Sequence, residues 1–109
     1  MSFDGKRILD MHDLIREADE IVGIWEIVID SCPVNPIKVK VVRMHHLERP
    51  MYMGIANYSI QNPEQASPYR SLHFFETPQE ALEDAIRGFL AFYKPELKEQ
   101  TKFIQDDDF

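Results

Sequence analysis

Cysteine is nearly absent from this chain of 109 residues, and so are long apolar runs. The single cysteine, Cys32, excludes an internal disulfide and fits a reducing compartment. No run approaches the ~20 apolar residues of a membrane span, and the first residues show no basic and apolar leader. These absences predict a cytoplasmic protein that does not enter a membrane.

The residues that usually carry chemistry are few and poorly spaced. The 4 glycines lie too far apart for a phosphate-binding loop, and the 4 histidines lack metal-ligand spacing. A nucleophilic cysteine needs a basic or imidazole neighbour, but the predicted hairpin puts His45 and His46 at the far end from Cys32. The acidic pairs fall on presumed outer helix faces, where charges are usually solvated. The sequence therefore predicts no catalytic residues, no metal site and no cofactor.

Positive charge is scarce and is concentrated in the middle of the chain. The net charge is −7, yet residues 31–54 carry four basic residues against one acidic residue, a net of +3. An acidic globule is a poor nonspecific partner for nucleic acid, because that affinity depends on the number of cations. The basic centre beside Tyr52 and Tyr58 still resembles in outline a sheet that stacks bases, so nucleic-acid binding is the alternative hypothesis.

Hydrophobic periodicity divides the chain into two helices and four strands. Ile8, Met11, Leu14, Ile15 and Ala18 recur at helical spacing and predict a first helix within residues 6–20, for which Asp4 and Asp10 are both possible N-caps. Prolines and polar residues separate the β-branched and aromatic runs that follow. The predicted strands cover residues 21–30, 37–44, 51–60 and 70–75, and the second helix covers residues 77–93.

The second helix has the clearest start signal in the chain. Thr77 can accept from the amide of Glu80, Glu80 can reach back to the cap, and Pro78 suits the first helical position. A strand followed by Thr-Pro-Gln-Glu-Ala-Leu resembles, over about 15 residues, the strand-to-helix join of HicB-type antitoxin domains. The sheet upstream lacks the glycine-rich pattern of those domains, so the resemblance assigns no site residues.

The order of elements predicts an α+β fold. We expect a four-stranded antiparallel meander in the order α-β-β-β-β-α, with both helices on one face and residues 1–94 as a single domain. The first hairpin keeps like residues on like faces if Ile29 lies opposite Ile37 and Glu26 opposite Lys40. The predicted core is Leu14, Ile15, Trp25, Ile27, Ile29, Val39, Val41, Leu72, Phe74, Leu82, Ile86 and Phe89.

The first strand contains more apolar residues than a one-sided strand requires. Every residue from Ile21 to Ile29 except Glu26 is apolar or glycine. Excess apolar surface on a small sheet is most simply covered by a symmetric copy. The 5 methionines also suit an adaptable contact surface. The sequence therefore predicts a homodimer or a module that docks on another protein.

The last residues carry a separate expectation. Residues 95–109 form a tail predicted to be weakly helical or disordered, because apolar residues are sparse there and the chain ends in acidic residues. Phe103 and Ile104 are candidates to anchor on a partner subunit or on the outer face of the sheet, with the acidic end near the basic centre. Truncation after Lys94 is then expected to preserve the fold and weaken self-association.

The function predicted from the sequence is a small cytoplasmic protein-interaction or regulatory module without catalytic activity that self-associates. The partner is a second copy or another protein, with nucleic acid as the alternative and no membrane. The predicted interaction surface comprises Lys38, Lys40, Arg43, Tyr52, Tyr58, Phe103 and Ile104.

Overall fold

A computed structural model of the chain describes residues 11–14, 19–45, 48–107 and 109. Its regular elements confirm an α+β fold with antiparallel strands and a helix. In chain order they are β1 (Asp19–Ile27), β2 (Ile37–Met44), β3 (Met51–Ala56), β4 (Tyr58–Gln61), α1 (Pro78–Phe92), a 3₁₀ helix (Pro95–Gln100) and β5 (Lys102–Gln105).

Strands β1, β2 and β3 form an antiparallel sheet in that order. The faces agree with the sequence prediction, but the register of the first hairpin does not: Ile27, rather than Ile29, lies opposite Ile37, and Glu26 lies opposite Lys38. The reason is Asn35, whose side chain accepts from the amide of Ile29 at 3.0 Å and donates to its carbonyl at 2.8 Å. These bonds hold residues 28–36 in a loop that is two residues longer than the predicted loop. Each residue of β1 from Gly23 to Ile27 therefore pairs with a β2 residue two positions earlier than predicted.

The predicted third strand, residues 51–60, is divided at Asn57. β3 pairs with β2, whereas β4 pairs with β5 in a separate two-stranded sheet. The main chain of Asn57 donates to the carbonyl of Lys38 and accepts from the amide of Asp106, each at 2.8 Å. Its side-chain oxygen also accepts from the Lys38 amide at 2.9 Å. Asn57 therefore joins the beginning of β2 to the end of β5.

The predicted fourth strand, residues 70–75, is not a strand. The segment touches the preceding strands only through two isolated bridges, Tyr52 with Phe75 and Ile60 with Tyr69. Tyr52 and Ile60 are eight positions apart, but Tyr69 and Phe75 are only six positions apart, so a regular ladder cannot satisfy both bridges. The predicted four-stranded meander is thus replaced in the described chain by a three-stranded sheet and a two-stranded sheet.

Helix α1 begins where the sequence predicts. The Thr77 hydroxyl accepts from the Glu80 amide at 3.2 Å and donates to the Glu80 carboxylate at 2.8 Å, while Pro78 occupies the first turn. The helix packs mainly on β3 and β2 and leaves β1 at the margin of the sheet. Gly54 permits this approach, because a Cβ there would lie 2.3 Å from the carbonyl oxygen of Ala81.

The predicted first helix lies mostly outside the described residues. Met11 and Leu14 belong to a short turn and are 74% and 96% exposed. Asp19 and Glu20, which the prediction placed in that helix, belong to β1. Within the described ranges, no helix is long and apolar enough to cross a membrane.

The core lies between α1 and one face of the sheets. It agrees with the prediction at Val39, Val41 and Phe89, all of which are buried. Four predicted members are exposed instead: Leu14, Trp25, Leu72 and Phe74. Trp25 is exposed because α1 does not cover that part of β1. Leu72 and Phe74 are exposed because the segment that contains them forms no ladder. The buried core cluster comprises Cys32, Ile37, Val39, Ala56, Ile60, Ala85, Phe89 and Tyr93.

The segment 95–109 contains regular structure. The 3₁₀ helix is followed by β5, which pairs with β4 so that Phe103 lies opposite Ile60. The ring of Phe103 packs beside those of Phe89 and Tyr93, with ring centroids 6.4 and 6.2 Å apart. The segment therefore completes the core of its own chain.

Candidate interaction surface

Strand β1 forms one edge of the three-stranded sheet, and much of it is exposed. Among the described residues, no strand pairs with its outer side. Large apolar side chains nevertheless line this edge. We call Ile21, Val22, Ile24, Trp25 and Val28 the β1 surface; their exposed fractions are 56%, 44%, 54%, 40% and 76%.

The indole of Trp25 lies along its own strand. A Cβ at Gly23 would approach the ring to 2.7 Å, so glycine leaves room for the ring two residues away on the same face. Cross-strand pairing with Val39 places Trp25 on the face that carries α1. The ring thus occupies the part of that face that the helix does not reach.

The main-chain groups of β1 alternate in direction along the strand. Lys38 exchanges hydrogen bonds with Asn57, so its amide and carbonyl point toward β3. Those of Val39, the next residue, therefore point toward β1, where they meet Trp25. The main-chain groups of Trp25 point toward β2. By the same alternation, those of its sequence neighbours Ile24 and Glu26 point away from the sheet. The edge therefore offers hydrogen-bond donors and acceptors beside its apolar side chains.

The register of β1 is interrupted once. Ile21 pairs with Val42 and Gly23 pairs with Val41, so Val22 is the extra residue of a β-bulge. A regular edge therefore extends only from Gly23 to Ile27.

The space between α1 and the sheet is closed. A cleft lined by Ile27, Ile86, Phe89 and Leu90, among other apolar residues, has a volume of about 20 Å³. That volume is close to the space that one water molecule needs. The exposed apolar surface beside it, rather than a ligand cavity, is what this region presents.

The basic residues predicted as an interaction surface are not gathered on one face. Lys38 and Lys40 alternate with the buried residues of β2 and lie on the face opposite α1. Lys38 is 3.9 Å from Glu26, and Lys40 donates to the main-chain oxygen of Phe109 at 2.8 Å. The Lys40 ammonium also lies 4.7 Å from the centre of the Phe109 ring.

Arg43, Tyr52 and Tyr58 occupy a different place from the two lysines. Arg43 pairs across the strands with Tyr52, whose ring centre is 5.8 Å from its guanidinium carbon. Strand alternation puts both on the α1 face, because their neighbours Val41 and Gly54 face the helix. Tyr58 packs against the core cluster. The structure therefore does not bring lysines and tyrosines together as one cationic stacking surface.

The two predicted anchors in the tail also separate. Phe103 packs inside its own chain, whereas Ile104, on the other side of β5, is 46% exposed. The acidic end meets two cations: Asp106 forms an ion pair with Arg70, and Phe109 contacts Lys40. Of the predicted basic centre, Lys40 contacts Phe109, whereas the partner of Asp106 is Arg70, which lies outside that centre.

A polar cluster that sequence analysis missed lies between the 69–75 segment and α1. Ser71, which is buried, donates to Oδ2 of Asp84 at 2.5 Å, and Nδ1 of His73 lies 3.4 Å from the same oxygen. A serine nucleophile requires a bond from serine to histidine, whereas here both contact the carboxylate. Burial and the Asp84 charge raise the pKa of the nearby Tyr69, and its bond with Ser71 opposes them. The cluster anchors the segment to the helix.

Nowhere in the described ranges do three His, Cys, Asp or Glu side chains converge as metal ligands would. Protein-family models, curated proteins and solved structures give no match to this chain.

Proposed function

We propose that this protein is a cytoplasmic interaction module that acts by contact, without catalysis, and that it self-associates through the β1 surface. The observation that carries this proposal is the combination of exposed Ile24 and Trp25 with a sheet edge that pairs with no strand of the described residues. Water is a poor solvent for such side chains, and their burial is the main driving force of association.

The extent of the β1 surface supports this function. From their exposed fractions, its five residues together leave on the order of 500 Å² accessible, divided between the two faces of the sheet because Trp25 lies on the α1 face and Ile24 on the other. A single exposed isoleucine would need no explanation, but four large apolar residues along one strand and Val28 directly after it do. Cover by a partner is the simplest explanation.

Light scattering of the full chain in solution tests the proposal. We expect a mass twice the 12.8 kDa of one chain. Ile24→Lys places a charge in the β1 surface and is expected to shift the mass toward one chain. Leu72→Lys is the matched control, because Leu72 is similarly exposed at 58% but lies outside that surface. A parent protein that remains monomeric at millimolar concentration would refute self-association.

A further inference from the structure

We propose that β1 pairs antiparallel with β1 of a second copy, about a two-fold axis that passes beside Trp25. This inference rests on the proposed function and specifies its partner and geometry. The two three-stranded sheets would become one six-stranded sheet.

The main chain defines where pairing can occur. Only the groups of Ile24 and Glu26 point outward in the regular part of the edge, between the Val22 bulge and the end of β1 at Ile27. Two antiparallel copies use both residues if Ile24 of one lies opposite Glu26 of the other. Trp25 then lies opposite Trp25 of the second copy, in the closer, non-hydrogen-bonded type of pair.

On the α1 face, this register gives apolar rows across both copies. Trp25 is flanked by Val39 on its own side and by the second Trp25 on the other. Ile27 lies opposite Gly23 of the second copy. Because the Trp25 ring already lies over Gly23, each Ile27 would meet an indole rather than an empty position. The rows are complementary to themselves, which favours a second copy over an unrelated partner.

On the opposite face, the same register separates like charges. Glu26 faces Ile24 of the second copy and retains Lys38 as its neighbour within its own sheet. The two Glu26 side chains lie diagonally rather than directly opposite. Direct opposition of like charges would be destabilising.

The neighbouring two-fold registers are disfavoured by the same sequence. An axis at Glu26 would place the two Glu26 carboxylates directly opposite each other. An axis at Ile24 would pair Glu26 with Val22, which lies at the bulge and breaks the ladder. The register centred at Trp25 avoids both conflicts.

Single-cysteine cross-linking tests the register. In a Cys32→Ala background, Trp25→Cys would place two thiols on residues whose Cα atoms are about 4.5 Å apart, within the range that disulfides span. We expect mild oxidation to link this variant at least 10-fold faster than Ile24→Cys or Glu26→Cys. Faster linkage of either comparison variant would assign the axis to that residue and overturn the proposed register.

Proline at the outward amide tests main-chain pairing without removing the tryptophan. Glu26→Pro deletes an N–H that points away from the sheet, so the monomer is expected to retain its fold by circular dichroism. Its dimer dissociation constant is expected to rise at least 10-fold, whereas Glu26→Ala, which keeps the amide, changes it less than 3-fold. A dimer unaffected by the proline would overturn edge pairing while leaving self-association intact. A monomeric parent would overturn both.

Discussion

At the scale of single residues, the contact between the sheet and α1 depends on the missing side chain of Gly54. A Cβ there would come within 2.3 Å of the Ala81 carbonyl oxygen and 2.9 Å of the Ala85 side chain. Neither neighbour can rotate away, because one is helix backbone and the other a methyl group. We predict that Gly54→Ala destabilises the protein by about 3 kcal/mol, which denaturant unfolding would measure.

Gly88→Ala is the matched comparison. Its Cβ would meet the Tyr69 hydroxyl at 2.0 Å and two carbons of that ring at 2.6 and 2.7 Å, but all three atoms belong to a side chain, which can shift where helix backbone cannot. Alanine in a helix also gains about 1 kcal/mol over glycine, which offsets part of the displacement. Equal losses of stability from the two substitutions would contradict the distinction between rigid and mobile neighbours.

Tyr93 links the core to the loop after β1. Its hydroxyl donates to the Ser31 carbonyl at 2.7 Å. Burial raises its pKa above the usual 10.0, with smaller contributions from Cys32 and Asp30. A raised pKa in the folded state means that the stability it contributes is present below pH 10 and is lost as pH rises through the folded pKa.

We therefore predict that Tyr93→Phe changes the pH dependence of unfolding. Near pH 7 the variant loses the bond to Ser31 and about 1 kcal/mol of stability. Above about pH 10 its stability falls less steeply than that of the parent, because no phenolate forms in the core. Denaturation curves across the alkaline range provide the measurement, and parallel profiles for the two proteins would contradict the prediction.

At the scale of elements, the last strand belongs to the fold of one chain. Phe103 is only partly buried, so Phe103→Ala is predicted to lower the free energy of unfolding by about 2–3 kcal/mol, below the ~3–5 kcal/mol of a fully buried phenylalanine. The exposed Ile104 serves as the control, and Ile104→Ala is expected to stay within about 0.5 kcal/mol.

Because β5 and Phe103 pack within their own chain, the expected effect of truncation after Lys94 changes. Removal of residues 95–109 would take Phe103 away from Phe89 and Tyr93, and β5 away from β4. We expect thermal melting to show a destabilised fold. An unchanged melting temperature with a weaker dimer would instead restore the hypothesis that the tail anchors a partner.

Local signals account for what the sequence predicted correctly. The cap at Thr77 and the apolar face of α1 depend on residues within a few positions of each other, so the helix was predictable. The hairpin register depends on the hydrogen bonds between Asn35 and Ile29. The end of the third strand depends on Asn57, which bonds to β2 and to the residue after β5. Neither polar contact leaves a hydrophobic pattern. The prediction of a fourth strand was wrong because the two bridges enclose segments of unequal length on the two sides. No local sequence pattern reveals that difference.

Part of the candidate surface was also predictable from a local signal. The apolar excess in residues 21–29 was visible in composition and indicated association. The proposed basic surface required knowing which residues of β2 and β3 share a face, and the sequence analysis placed Tyr52 beside the basic centre that includes Lys40. Helix packing at Gly54 reverses that arrangement, because it places the even-numbered residues of β3 on the helix face. A glycine between larger apolar residues was the signal that could have shown it.

At the scale of the whole molecule, the single tryptophan reports on assembly. Trp25 is 40% exposed in one chain and would be covered by the second copy. We predict that its fluorescence emission shifts to longer wavelength as the protein is diluted through its dissociation constant. Ile24→Lys should show the longer wavelength at every concentration. Emission that stays constant while the scattered mass changes would show that the interface lies away from Trp25.

Residues 69–75, which include the predicted fourth strand, limit how far such an assembly can grow. Phe75 occupies the outward amide and carbonyl of Tyr52, so each chain already engages part of the outer side of β3, and Tyr69 does the same for Ile60 in the separate sheet of β4. A two-fold pairing of β1 uses the regular part of the other edge, from Gly23 to Ile27. These contacts disfavour the addition of a third copy at either end of the joined sheet, so we expect the association to close at two chains instead of extending into a fibre.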